Sequence, residues 1–208
     1  MYTKPEFAPL SRDEVFGLIE AAAFATVITA GPEGLAVSHL PVVLHRERGE
    51  NGTLVSHLAA ANAHAALLTE GRATVAVLQG PHGYISPSWY PSNPVRDSAP
   101  TWNFAVVHCH GRPVPLDTQA TARHLLELVD VLEKDRPDRW RMRELGPGGM
   151  ERRLPHVVGF EMPITRLEAK FKMGQDERLY DTIAAIEALE TADPALADLM
   201  RKHNAHRG

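Results

Sequence analysis

The stretch "APTWNFAVVHCHG", residues 99–111, reads as a strand and decides how its neighbours are read. Successive side chains of a strand point to opposite faces. Trp102, Phe104, Val106, His108 and His110 therefore share one face, and Asn103, Ala105, Val107 and Cys109 the other. Two histidines on one face suit zinc, copper or iron, but a usual site needs a third or fourth ligand. No HExxH, CxxC or paired-carboxylate pattern supplies one. His108 and His110 are read as strand residues near a sheet end, and no metal is expected. Cys109 faces away from them, so they are poor candidates to activate it.

Working outward, the flanking segments also read as strands. "FATVITA" and "LAVSHLPVVLH" are joined by "GPEG" and make a hairpin; "TLVSHL", "RATVAVLQG" and "HVVGFEMPITRLEAKF" follow. Pro41 in "SHLP" suggests an edge or bulge, because proline cannot donate to a ladder. "PHGYISPSWYPSNPVRDSAP" is rich in Pro and Ser and reads mostly as loop. Helices are expected where caps precede a 3.6-residue period. Ser11 with Glu14 opens one over 12–22, Asn62 one over about 63–69 closed by Gly71, and Asp117 a longer one. Another helix covers 177–190, and the terminal "HNAHRG" is expected to be disordered. Strands with turns, interrupted by single helices, exclude a doubly wound parallel sheet. They fit a mainly β, α+β chain: an antiparallel barrel with flanking helices. One domain over 1–208 is expected, with a C-terminal helical segment at about 176–203.

The bulk composition narrows the function classes. The chain has 208 residues, a formal charge of −4 and one cysteine. No apolar run approaches the roughly 20 residues that cross a bilayer, and "MYTKPEFAPL" lacks a signal-peptide pattern. A cytoplasmic location without membrane association is expected. A protein that grips DNA phosphates carries a basic stripe. Here only "RWRMR" and "ERR" are basic, and both read as solvated faces.

No GxSxG elbow, GxGxxG or GxxxxGK[ST] loop occurs. "SHLAAANAH" places a helix start after a strand end, an arrangement that either binds an anion or is merely capped by Asn62. Lys170 and Lys172, with Gln175 beyond, either neutralise a phosphate or project into water.

Together "MYTKPEF", "SHLP", "SHLAAANAH", "GYISPSWY", "PTWNFAVVHCHG" and "VVGFEMPITRLEAKFKMGQ", in that order, resemble the PaiB-like FMN-binding negative transcriptional regulators. The resemblance covers nearly the whole chain. It implies an FMN-binding split β-barrel, pyridoxamine-phosphate-oxidase-like, working as a homodimer with FMN at the subunit interface. Carried over by position, Ser38, His39, Leu40 and Pro41 look like the strand beside the isoalloxazine. Ser56, His57 and Asn62 look like the phosphate and ribityl side. Trp102 and Asn103 look like pocket elements, and Lys170, Lys172 and Gln175 like a C-terminal contribution.

The sequence departs from the family pattern at Ala60, where Arg is usual, at Ala63 and Ala65, and at Gly174 and Asp176. Loss of one charge-assisted bond costs about 1.5–3 kcal/mol, roughly ten- to a hundredfold in affinity, so weakened FMN binding is expected. The resemblance implies a regulatory flavin-binding protein. An FMN-dependent oxidoreductase or flavin reductase is an alternative. A haem-binding split barrel, with His82, His108 or His110 as ligands, is another. No specific DNA binding by the protein alone is expected.

Overall fold

The computed structural model describes residues 1–91 and 98–207. Seven strands, β1 (Phe24–Gly31), β2 (Gly34–His45), β3 (Thr53–Ala59), β4 (Thr74–Ile85), β5 (Thr101–Gly111), β6 (Val114–Pro115) and β7 (Val157–Lys172), form one sheet. Its order is β3-β2-β1-β4-β5-β7-β6, and β3 also pairs with β7, so the order closes on itself. The pairings β1–β2, β1–β4, β2–β3, β3–β7 and β6–β7 are antiparallel. The helices are α1 (Arg12–Ala22), α2 (His64–Thr69), α3 (Thr118–Glu133), α4 (Gly149–Arg153), α5 (Leu179–Ala192) and α6 (Pro194–Asn204). This is the antiparallel sheet with flanking helices that the patterning implies.

The chain divides into two compact units. One comprises Ala22–Leu78 and His108–Leu167, the other Met1–Ala21, Gln79–Val107 and Glu168–Gly208. In the first, the inward faces of β1 and β2 bury Ala25, Val27, Leu40 and Val42, and β3 and β7 add Leu54, Leu58, Phe160 and Met162. Each fully buried large side chain contributes about 1.5–3 kcal/mol. Asp117 Oδ1 accepts from Ala120 N at 2.7 Å and caps α3. At Gly159 an added Cβ would lie 2.5 Å from Thr121 Oγ1 of α3, so only glycine permits this approach. Gly111, the last residue of β5, is under the same constraint against the Pro163 carbonyl oxygen, at 2.5 Å.

In the second unit, Phe7, Ile19, Ile85, Phe171, Met173, Leu196 and Met200 are buried. Ser11 Oγ accepts from Glu14 N at 3.1 Å, and Glu14 Oε2 accepts from Leu10 N at 2.7 Å, which together open α1. Glu14 Oε1 also meets Lys202 Nζ at 2.7 Å and His203 Nε2 at 3.1 Å. His203 stacks on Phe171, with ring centroids 5.1 Å apart.

Three local expectations change. Pro41 lies on neither an edge nor a bulge: β2 pairs with β1 up to Phe24↔Pro41 and with β3 from Val42↔Ser56, so the missing N–H falls where β2 exchanges partners. Pro81 does not end β4, which continues to Ile85, and the loop reading shrinks accordingly; residues 92–97 of that reading lie outside the described residues. The C-terminal stretch is ordered through α6, because Asp193 caps it by accepting from Leu196 N and Pro194 starts it. His203 and Asn204 are buried.

Candidate functional site

The opening strand divides by face as its alternation requires. Asn103, Ala105, Val107 and Cys109 are at most 1% exposed, whereas Trp102 is half exposed. Burial pushes the Cys109 thiol up to about 12, which leaves it a poor nucleophile. The His108 and His110 rings meet edge-on at 6.3 Å, and Arg166 Nη2 lies 3.1 Å from His110 Nδ1.

The residues expected to bind the cofactor fall into two groups, one in each unit. In the first unit, alternation splits "SHLP". Ser38 and Leu40 face inward and are buried, while His39 is exposed and Pro41 half-buried. His39 Nδ1 lies 3.1 Å from Thr26 Oγ1, and its ring stacks against Phe24. Ser38 is the centre of a polar chain where the turn after β3 enters α2. Asn62 Nδ2 donates to Ser38 Oγ at 3.2 Å, and His64 Nδ1 lies 2.9 Å from the same oxygen. Asn62 Oδ1 accepts from His64 N at 3.0 Å, but Ala63, not Asn62, is the N-cap of α2 and makes no side-chain cap bond, so the expected Asn62 cap is replaced by a local turn whose amide also reaches the strand.

His64 is only 3% exposed, and no described residue satisfies its buried Nε2. Burial lowers its pKa, favouring the neutral ring. In the tautomer where Ser38 donates to Nδ1, Nε2 carries an unmet N–H. His64 ends the "SHLAAANAH" stretch and is a site residue that the resemblance does not mark. Its spacing of two from Asn62 was the available signal.

Ser56 and His57 are engaged elsewhere. Ser56 is fully buried, and its hydroxyl donates to the Pro41 carbonyl at 2.6 Å rather than standing open. His57 Nδ1 lies 3.2 Å from His124 Nε2 on α3. Burial lowers both pKa values. For His124 burial comes first, then the neighbouring His57 and His45, and the value falls to about 4.

In the second unit, Trp102 Nε1 donates to His82 Nδ1 at 3.2 Å, and the two rings stack at 6.0 Å. Tyr84 meets Trp102 edge-on at 6.3 Å. His82 and Tyr84 were missed because Pro81 suggested loop; their alternation with Ile85 inward is the strand signal. Asn103 is buried, with Nδ2 3.5 Å from Met200 Sδ. Lys172 Nζ donates to Thr101 Oγ1 at 2.6 Å, Trp102 O at 3.4 Å and Asn103 Oδ1 at 3.5 Å. Burial lowers its pKa against the raising effect of Asp176 and Glu177. Lys170 Nζ lies over the rings of Tyr2, Phe7 and Phe104. Gln175 is committed at both ends: Met173 N donates to its Oε1 at 2.6 Å, and its Nε2 donates to Phe171 O at 2.7 Å.

The family described as "Putative FMN-binding domain" matches residues 1–166 of this chain. The chain belongs to that family. Among its curated relatives, Bacillus subtilis (strain 168) "Protease synthase and sporulation protein PAI 2" is 27% identical over 193 residues. The match covers 93% of this chain and 91% of that protein. A Saccharomyces cerevisiae protein, YKL070W, is 35% identical over 109 residues, covering 50% of this chain and 64% of its own. Among solved structures, the FAD and haem binding protein from Mycobacterium smegmatis has a TM-score of 0.59 at 16% identity, covering 85% of this chain and 78% of its own. The flavocytochrome Anf3 from Azotobacter vinelandii has 0.58 at 18%, covering 82% and 72%. These share the fold of the family.

The donors around Ser38 suit part of a flavin. A hydroxyl, an amide and a neutral imidazole match ribityl hydroxyls and ring-edge heteroatoms. No guanidinium or ammonium belongs to this polar chain among the described residues.

Proposed function

We propose that this chain binds FMN, as a homodimer, and serves a regulatory role of the PaiB type. The observation that carries the reading is the Asn62–Ser38–His64 chain with its unmet Nε2. It joins Asn62, which the resemblance implies on the phosphate and ribityl side, to Ser38, which the resemblance implies on the strand beside the isoalloxazine. When bound, a flavin supplies hydride and electron-transfer chemistry. The protein groups orient it: Ser38 and His64 hold polar atoms, and His39 and Pro41 present the outer strand face.

The homodimer rests on a second feature. Phe24, Leu35 and Val37 lie on the outward face of β1 and β2 and are 58%, 72% and 53% exposed. An apolar stripe of this kind marks an interaction surface. The test is FMN fluorescence titration of the wild type and of Asn62→Ala with Ser38→Ala. We expect about five- to a hundredfold weaker binding in the double variant, from loss of two hydrogen bonds of roughly 0.5–1.5 kcal/mol each. Unchanged affinity removes the site.

A flavin-dependent oxidoreductase is the second reading. The exposed Trp102–His82–Tyr84 cluster favours it, since half-exposed rings suit stacking on a flat ring system. NAD(P)H oxidation by the FMN-loaded protein, and its loss in Trp102→Ala, would establish this reading; no oxidation above free FMN would exclude it.

A further inference from the structure

A cavity of about 390 Å³ opens in the first unit beside α3. Small-molecule sites run from about 300 to 1,000 Å³, so this one admits a small metabolite. Val55, Leu116 and Ala120 give it an apolar wall, and buried His124 lines it as well. The remaining lining is charged, and its pairing is uneven.

Arg48 is held by Glu161 in an ion pair. His45 Nε2 lies 3.3 Å from Glu127 Oε2. Arg123 precedes Glu127 by four residues on α3, a spacing at which opposite charges are neighbours. Yet Glu127 turns to His45, and no ion pair or hydrogen bond engages the Arg123 guanidinium among the described residues. The lining therefore presents one unmatched guanidinium beside an apolar wall. A guanidinium binds a carboxylate through two parallel hydrogen bonds. Glu127 and Glu161 stand nearby and disfavour a dianion such as phosphate.

We propose that this cavity binds a small aliphatic monocarboxylate, its carboxylate on Arg123 and its body against Val55, Leu116 and Ala120. None of these residues belongs to the polar chain around Ser38, so the site stands independently of the flavin reading.

The test is a titration of the full-length protein with isovalerate, followed by amide NMR shifts of residues 120–127. Isovaleramide, the neutral isostere, and inorganic phosphate are the comparison probes. We expect saturable millimolar binding of isovalerate and about tenfold or greater weakening for both isovaleramide and the Arg123→Gln variant. FMN retention should be the same in Arg123→Gln and wild type, because an exposed side chain outside the flavin site is changed. Equal binding of isovaleramide, tighter binding of phosphate, an unaffected Arg123→Gln variant or no saturable shift each overturns the proposal.

Discussion

At the scale of single residues, the chemistry depends on which polar atoms are already engaged. The Ser56 hydroxyl donates to Pro41 O, and both ends of the Gln175 amide hold the backbone at Phe171 and Met173. These two side chains act as local braces. Ser38, Asn62 and His64 keep capacity to spare, because Nε2 of His64 has no described partner. Ala60 is exposed, and its backbone N donates to His156 O at 2.9 Å, so a longer side chain there meets no core. Ala60→Arg should tighten FMN about tenfold or more through a charge-assisted phosphate contact, and leave riboflavin affinity unchanged. Paired fluorescence titrations with the two flavins check this; an equal gain for riboflavin would show that the arginine acts elsewhere.

At the scale of elements, stability turns on close approaches and on one strained backbone position. Ala23 follows the end of α1 with φ of 49°, a left-handed conformation that favours glycine. Ala23→Gly should raise stability by about 0.5–1 kcal/mol in urea unfolding. Gly159→Ala should lower it by about 1–3 kcal/mol, since the new methyl collides with Thr121 of α3. Strands and caps were legible because alternation and capping residues are local signals. The Asp117 cap and the two faces of β5 followed directly from spacing. Pro41 and Pro81 misled, because proline's cost depends on whether its nitrogen faces a partner, which only the sheet order reveals. Asp193–Pro194 was a readable start for α6. That Asn62 and Ser38 meet was not legible from spacing, since it joins a strand to a helix start 24 residues on. Nor were the commitments of Ser56 and Gln175, since they depend on contacts across 15 residues or on a tight local turn.

At the scale of the whole molecule, the buried histidines set a pH dependence. His124 titrates near 4 in the fold against 6.5 for the free side chain, and burial lowers His57 and His64 as well. Between these values the unfolded chain binds more protons, so stability rises with pH. The thermal midpoint should hold above about pH 6.5 and fall toward pH 4, and His124→Gln should flatten that slope. A scan in which the variant keeps the full slope would assign it to other groups. Assembly belongs to this scale too. Val37→Lys on the apolar stripe should shift the protein toward monomer in sedimentation and weaken FMN retention with it. A dimer that persists would place the subunit contact elsewhere.

The central claim is that this member of the FMN-binding family holds a flavin. The most direct test is a visible absorption spectrum of purified protein, incubated with FMN and passed through a desalting column. Flavin bands should travel with the protein, weaker in the Ser38→Ala, Asn62→Ala double variant. Colourless protein with all flavin in the late fractions would contradict that claim, and a Soret band on the purified protein would point to haem in place of flavin.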